Sequence, residues 1–252
     1  MKKLENKTAI ITGAASGMGK AIAQLFAQEG ANVVLADLHQ NEVDAVVKNI
    51  VEAGGHAIGL ECNVSHENEI KNLIDKALSE YHTLDVLVNN AGTLDNFEPV
   101  DQVSNEQWKR VIGVNVDGPF FACRLAVPIM LKQGSGSIIN IASIGGLFGA
   151  RAGTAYTVSK HALIGLTKNI GFMYALNGIR CNAIATGGVN TNIGKDLKPN
   201  SFGYQRCTIG GTSMPRMGEA IEIANTALFL ASSDASLING AVITVDAGWT
   251  AY

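Results

Sequence analysis

Tyr156 and Lys160 stand four residues apart in the run Tyr156-Thr157-Val158-Ser159-Lys160. On a helix that spacing puts both side chains on one face, roughly 5–6 Å apart at Cβ. An ammonium beside a phenol favours the phenolate, so the pair predicts a tyrosine whose pKa falls from about 10 toward the working range. A phenol so tuned is a general acid and base. Tyr-x-x-x-Lys also arises by chance in ordinary helices, so its company matters. Ser143 lies thirteen residues before Tyr156, just after the apolar run Ile138-Ile139-Asn140-Ile141, where its hydroxyl can polarise a carbonyl while Tyr156 delivers the proton. Asn115 sits between Val114 and Val116 inside a long helical stretch, either as a working polar group or as the mark of a helix distortion ahead of Gly118-Pro119.

A second group of residues suits a phosphate-bearing ligand. Thr12-Gly13-Ala14-Ala15-Ser16-Gly17-Met18-Gly19 follows a short β-branched run and precedes an amphipathic one. Glycines there permit a tight turn and let backbone approach a pyrophosphate at the following helix N-terminus. By itself such a turn can be a mere strand–helix connection. Asp37 stands eighteen residues beyond Gly19 at the end of the next apolar run, where a carboxylate can accept both ribose hydroxyls of an adenosine. It would repel a 2′-phosphate, and Ala36, Leu38 and His39 beside it are not Lys or Arg, nor are Ala15 and Ser16 in the turn. The expected cofactor is therefore NAD(H) rather than NADP(H). The bland alternative for Asp37 is a solvated helix cap.

The elements that must hold these groups alternate along the chain. Strands are predicted over Thr8–Thr12, Val33–Ala36, His56–Cys62, Val86–Val88, Ser137–Ala142, Arg180–Ala185 and Ala241–Val245. Helices are predicted over Lys20–Glu29, Glu42–Glu52, Glu67–Glu80, Asn105–Lys132, Thr154–Leu176 and Glu219–Leu230. Near-continuous apolar strands between helices imply an α/β, doubly wound (Rossmann) parallel sheet of about seven strands, covered on both faces and forming a single domain over 1–252. Ligands in such folds bind beyond the carboxyl ends of the strands. Residues 190–216 break the rhythm with Gly194, Pro199, Gly203, Gly210, Gly211 and Pro215, and are expected to form a substrate lid.

The bulk properties are those of a globular protein: 252 residues, 47% hydrophobic, formal net charge −3. No basic run supports a nucleic-acid or membrane-surface role. The apolar stretch behind Met1-Lys2-Lys3-Leu4 is too short for a signal sequence, and no uninterrupted apolar run nears the ~18 residues of a membrane span, so a cytoplasmic location is expected. Cys62, Cys123, Cys181 and Cys207 form no CxxC pair, so buried free thiols are expected, with no metal site.

Together these motifs identify the chain as resembling the short-chain dehydrogenase/reductase family over essentially its whole length. Thr12 to Gly19 matches the family's TGxxxGxG turn, and Asn89-Asn90-Ala91-Gly92 its NNAG element. Asn115, Ser143, Tyr156 and Lys160 match its tetrad with the spacing Ser-x12-Tyr-x3-Lys, and Asn239-Gly240 and Val245-Asp246-Ala247-Gly248 match its closing segment. The resemblance implies hydride exchange between NAD(H) and an alcohol or ketone. Tyr156 would be the proton donor and acceptor, and Lys160 would lower its pKa and hold the nicotinamide ribose. Ser143 would steady the alkoxide, and Asn115 would hold a relay water. It implies cofactor contacts from Gly13, Ser16, Gly17, Met18, Gly19, Asp37, Leu38, Asn63, Val64, Asn90, Ala91, Gly92, Tyr156, Lys160, Gly187, Val189 and Thr191. Asn63 replaces the usual Asp before Val64. Thr186 replaces the usual proline before Gly187, which predicts a looser nicotinamide contact and lid hinge.

The pocket walls are expected from 144–148, 93–97 and the lid, whose Phe202, Tyr204, Cys207, Ile209 and Met214 suggest a hydrophobic or ring-bearing alcohol or ketone. Alternatives are an NADPH-dependent 3-oxoacyl-(acyl-carrier-protein) reductase, disfavoured by Asp37 and the sparse basic residues, and a catalytically silent dinucleotide-binding scaffold. The family resemblance implies a homotetramer. The aromatic end Gly248-Trp249-Thr250-Ala251-Tyr252 is expected to pack against another subunit or the active site.

Overall fold

The computed structural model describes residues 2–195 and 197–251. Its β-branched and aliphatic runs form β1 (Thr8–Thr12), β2 (Asn32–Asp37), β3 (His56–Glu61), β4 (Val86–Asn89), β5 (Gly136–Ile141), β6 (Ile179–Thr186) and β7 (Val242–Val245). All neighbours pair in parallel, in the order β3-β2-β1-β4-β5-β6-β7. Every residue of central β1 and β4 is buried, which requires cover on both faces. Helices α1 (Gly17–Gln28) and α2 (Gln40–Glu52) cover one face. The other carries α3 (Glu67–Tyr81) and the long pair α5 (Gly118–Gln133) and α6 (Thr154–Met173). Between them lies α4 (Asn105–Ile112); α7 (Ser201–Cys207) and α8 (Ala220–Ala231) follow, α8 joining the face of α1. Complete burial of Phe26, Ile10 and Leu87 contributes about 1.5–3 kcal/mol apiece before entropy is set against it.

Three predicted elements differ in detail. The helix predicted over 105–132 is interrupted by a π turn at Gly113–Asp117, centred on Asn115. The helix distortion expected at that residue is present, and its side chain is buried. The helix predicted to Leu176 ends at Met173, and a 3₁₀ turn at Ala175–Asn177 closes on Gly178. The supposedly irregular lid contains α7, capped by Asn200, whose side chain accepts from the Gly203 N–H at 3.0 Å, and a 3₁₀ turn at Ile209–Ser213. The helical run 105–133 is long and apolar enough to cross a membrane, but Val111, Ala122, Ala126 and Met130 on it are core residues.

Successive strands run outward from β1 toward β3, then restart at β4 and run the other way. The order therefore reverses between β1 and β4, where carboxyl-terminal loops diverge and leave a crevice. A buried polar chain stiffens the sheet beneath it. Asn89 Nδ2 donates to Asn140 Oδ1 at 2.8 Å, and Asn140 Nδ2 donates to Thr167 Oγ1 at 2.8 Å, tying β4, β5 and α6 together.

Candidate active site

The crevice holds a cavity of about 390 Å³. Gly13, Ser16, Gly17 and Met18 line it from the turn after β1, and Asp37 and Leu38 from the end of β2. Asn63 and Val64 follow β3, Asn90, Ala91 and Gly92 follow β4, and Thr191 comes from the lid. These expected contacts are thus brought together. Gly17 has φ +51, a left-handed turn that favours glycine, and Ser16 caps α1 without a side-chain bond. The first-turn N–H groups of α1 and its positive dipole end then face the crevice, a cradle for a pyrophosphate.

Asp37 Oδ2 accepts the Ala15 N–H at 2.9 Å and Oδ1 its neighbour Leu38's at 2.7 Å, fixing the carboxylate beside the turn. Asn90 Nδ2 donates to the Thr12 and Gly13 carbonyls, both at 2.9 Å, while its buried Oδ1 has no partner. A buried acceptor without a donor costs about 1–3 kcal/mol, and a ligand hydroxyl or amine would relieve it. The lining therefore fits a dinucleotide.

Five expected contacts lie outside the cavity lining: Tyr156 and Lys160, described below, and Gly19, Gly187 and Val189. Gly19 is packed inside α1, where a methyl group would come within 2.0 Å of the Gly13 carbonyl oxygen. It shapes the turn rather than lining the cavity. Gly187 donates its N–H to Val245 O at 2.9 Å, and Val189 bridges to Gly218 beside the core. Thr186 itself is the last residue of β6 and pairs in register with Val245.

The four residues expected to do chemistry converge. Tyr156 and Lys160 share the buried face of α6; Ser143 ends the stretch after β5, and Asn115 looks out of the π turn. A methyl group on Gly92, which lines the cavity, would lie 3.6 Å from Lys160 Nζ and 3.5 Å from Asn115 Oδ1, so the two groups abut the crevice. Asn115 is held from three sides: Oδ1 accepts the Thr93 N–H at 2.9 Å, and Nδ2 donates to Thr93 O at 2.9 Å and Ser159 Oγ at 3.0 Å. Ser143 Oγ accepts the Gly145 N–H at 3.0 Å.

The electrostatics differ from the expectation. Burial pushes the Tyr156 phenol up to about 12, with the Ser143 hydroxyl pulling it back and the Asp95 charge adding to the rise. Burial also lowers Lys160 to about 8. Lys160 Nζ lies 5.5 Å from the Tyr156 ring centroid and donates to Ile141 O at 2.9 Å, and desolvation is the largest cause of the shift at each group.

Arg110, Cys62 and Val114 line the crevice and were not expected there, and Asp95 was expected only as part of the 93–97 wall. Arg110 donates to Thr93 Oγ1 and, at 2.9 Å, to Leu94 O. Asp95, 1% exposed, accepts three backbone N–H groups beside Tyr156. Only an acceptor placed next to an otherwise uncapped helix start would have betrayed it, and that neighbourhood is tertiary.

Comparison with known proteins agrees with the geometry. A family profile described as Enoyl-(Acyl carrier protein) reductase matches residues 13–250. The chain is 41% identical to 3beta-hydroxysteroid dehydrogenase 2 of Eggerthella lenta, over 99% of this chain and 96% of that protein. It is 39% identical to the 3-oxoacyl-[acyl-carrier-protein] reductase of Thermotoga maritima, over 98% of both, and 36% identical to cyclohexanol dehydrogenase of an Acinetobacter species, over 98% and 96%. A structure described as a putative NAD(P) dependent gluconate 5-dehydrogenase from Beutenbergia cavernae, with NADP bound at low occupancy, superposes with a TM-score of 0.88 at 34% identity, covering 99% of each chain. The chain belongs to the short-chain dehydrogenase/reductase family and is an NAD(P)-dependent oxidoreductase of alcohol and carbonyl groups.

Proposed function

We propose that this enzyme interconverts a hydrophobic, ring-bearing secondary alcohol and its ketone with NAD(H), using Asn115, Ser143, Tyr156 and Lys160. The observation that carries the reading is the convergence of those four side chains, with Asn115 and Lys160 against Gly92 of the crevice wall and Ser143 beside Tyr156. Asp37 supports NAD(H) over NADP(H), because a fixed carboxylate beside the turn would repel a 2′-phosphate. Asp37, Asn90, the turn from Gly13 to Met18, Asn63, Val64 and Thr191 would hold the dinucleotide, with Lys160, Gly187 and Val189 toward its nicotinamide end. When bound, that group supplies or takes up the hydride.

The chain's own residues manage the proton. In reduction Tyr156 gives its phenolic proton to the carbonyl oxygen, which Ser143 steadies by hydrogen bonding. In oxidation the phenolate accepts it back. Because burial favours the neutral phenol, oxidation should quicken as pH rises through the alkaline range, whereas reduction already has its acid in hand at neutral pH. Asn115, locked on Thr93 and Ser159, keeps the π turn open beside Lys160 for a proton path.

The substrate reading is supported by exposed apolar lid and loop residues, Phe148, Phe202 and Ile209 among them, and by relatives named for a hydroxysteroid and for cyclohexanol. A carrier-protein reductase is favoured by the Thermotoga relative and by the description of the family profile, and disfavoured by Asp37. The test is a panel of cyclic and linear secondary alcohols and ketones, and an acyl-carrier-protein thioester, with NADH and NADPH compared, on the native enzyme and Tyr156→Phe. Turnover of cyclic substrates with NADH, abolished in the variant while NADH still binds, is the expected result. Surviving turnover in Tyr156→Phe, or activity confined to the thioester with NADPH, would overturn it.

A further inference from the structure

Asp95 lies on the loop after β4, outside the cavity-lining set, and its carboxylate is almost wholly buried. Burying a carboxylate is costly unless it is hydrogen-bonded, and here the partners come from two separate segments. Oδ2 accepts the Tyr156 N–H at 2.9 Å, and Oδ1 accepts the Gly153 N–H at 3.0 Å. Gly153 caps α6 without a side chain, and Tyr156 N–H is one of the first-turn donors that a helix cannot satisfy itself. Asp95 therefore supplies from a distant loop the cap that α6 lacks. A carboxylate at a helix N-terminus is also favoured by the dipole.

The third bond points the other way along its own loop. Asp95 Oδ1 accepts the Phe97 N–H at 3.1 Å, and Phe97 has φ +59, a left-handed conformation disfavoured for a bulky residue. That bend makes a seat for the lid. The Phe97 ring meets Tyr204 of α7 edge-on, with centroids 5.2 Å apart. The Phe97 carbonyl lies so close to α7 that a methyl group on Gly203 would stand 1.7 Å from its oxygen. The neighbouring Asn96 carbonyl accepts the N–H of Asn200, the α7 cap, at 2.7 Å. One carboxylate thus touches both the seat of the lid and the turn of helix that carries Tyr156.

We propose that Asp95 is a positioning residue that locks the lid seat to the start of α6 and so sets the Tyr156 phenol against the substrate carbonyl. This rests on Tyr156 being the acid and base. The ionisable groups around that phenol are Lys160 on its own helix and Asp95 on the loop after β4, with the Ser143 hydroxyl across from them; Cys207 on α7, whose Sγ donates to Ala152 O at 3.0 Å, lies near Asp95. Asp95 is a negative charge facing a group that must become negative in oxidation.

Two variants test it. Asp95→Asn keeps the shape but removes the charge and turns an N–H toward the Tyr156 N–H. Gly153→Ala keeps the carboxylate but drives a methyl group to within 2.6 and 2.7 Å of its oxygens. For both, kcat should fall by about tenfold or more and the substrate KM should rise, while NADH affinity, measured by fluorescence titration, stays unchanged. In Asp95→Asn the midpoint of the alkaline rise in oxidation should also move to lower pH, a shift that mere loosening of the fold would not cause. Native kcat in both variants, NADH affinity falling in step with kcat, or an unmoved midpoint in Asp95→Asn would overturn the proposal. Failure of the underlying reading is separately visible as surviving turnover in Tyr156→Phe.

Discussion

At the residue scale, Lys160, proposed above as one of the catalytic group, is held at a cost to the fold. Its ammonium is buried with one carbonyl partner, Ile141 O, and burial lowers its pKa from 10.5 to about 8. A lysine whose folded pKa lies below its unfolded value destabilises the fold most when both states are charged, below about pH 8. The penalty fades as pH climbs from about 8 toward 10.5, because the folded protein sheds the proton first. The shift corresponds to about 3 kcal/mol at most, and an abandoned carbonyl would return about 1–2 kcal/mol of that. Lys160→Met should therefore be inactive yet more stable than the native enzyme at pH 7, by about 1–2 kcal/mol or a few degrees in Tm. The margin should narrow by pH 10. Calorimetry at the two pH values decides it, and a lower Tm at pH 7 would show that the ammonium is a net stabiliser.

The glycine turn and the π turn make the corresponding point at the scale of elements. Gly19 matches a cofactor motif, but its work is to let α1 pack against the Gly13 carbonyl and Asn90 Nδ2. In Gly19→Ala the new methyl group would sit 2.0 Å from that oxygen, so the turn must shift. Overpacking of this kind costs about 1–3 kcal/mol, tolerable for a core of this size. The expected result is a folded protein, by circular dichroism and melting, whose NADH affinity drops by an order of magnitude or more; unchanged affinity would mean the turn does not cradle the ligand. What could be read from the chain follows the same logic. The strands and α1, α2, α3, α6 and α8 declare themselves through local apolar periodicity, and Ser143, Tyr156 and Lys160 through fixed spacing on them. The π turn is half legible: Asn115 ahead of Gly118-Pro119 marks a distortion, but its form as a π turn depends on tertiary support such as the Asn115 side-chain bonds to Thr93, twenty-two residues away. Helix α7 is silent because seven residues hold no two full turns of pattern and Gly203 stands inside it. The raised Tyr156 pKa is silent because it depends on how much water the whole fold removes, which no pair spacing encodes.

For the whole molecule, the question is how its exposed apolar surface is used. Phe172 is 84% exposed and Leu176 101%, with Met173 between them at the end of α6; Phe120 and Leu131 on α5 and Val158 on α6 are also uncovered. Exposed apolar side chains on two long helices suit an association face, and a homotetramer built through α5 and α6 would bury them. The carboxyl-terminal segment does something different. Trp249 Nε1 donates to Ser213 Oγ of the lid at 3.2 Å, and the Arg151 guanidinium lies 4.5 Å over its ring, so the segment packs on its own chain; Tyr252 lies outside the described residues. The two surfaces should separate experimentally. Phe172→Glu places a charge where a partner would sit but disturbs little within one chain. It should reduce the native assembly to smaller species in sedimentation while each chain keeps its helix content. Deleting the last four residues should instead leave the sedimenting mass intact and raise the substrate KM, because the lid loses its Trp249 contact. Native enzyme sedimenting as a monomer would refute the assembly, and loss of mass on deleting the tail, with Phe172→Glu unaffected, would move the interface from α5 and α6 to the carboxyl terminus.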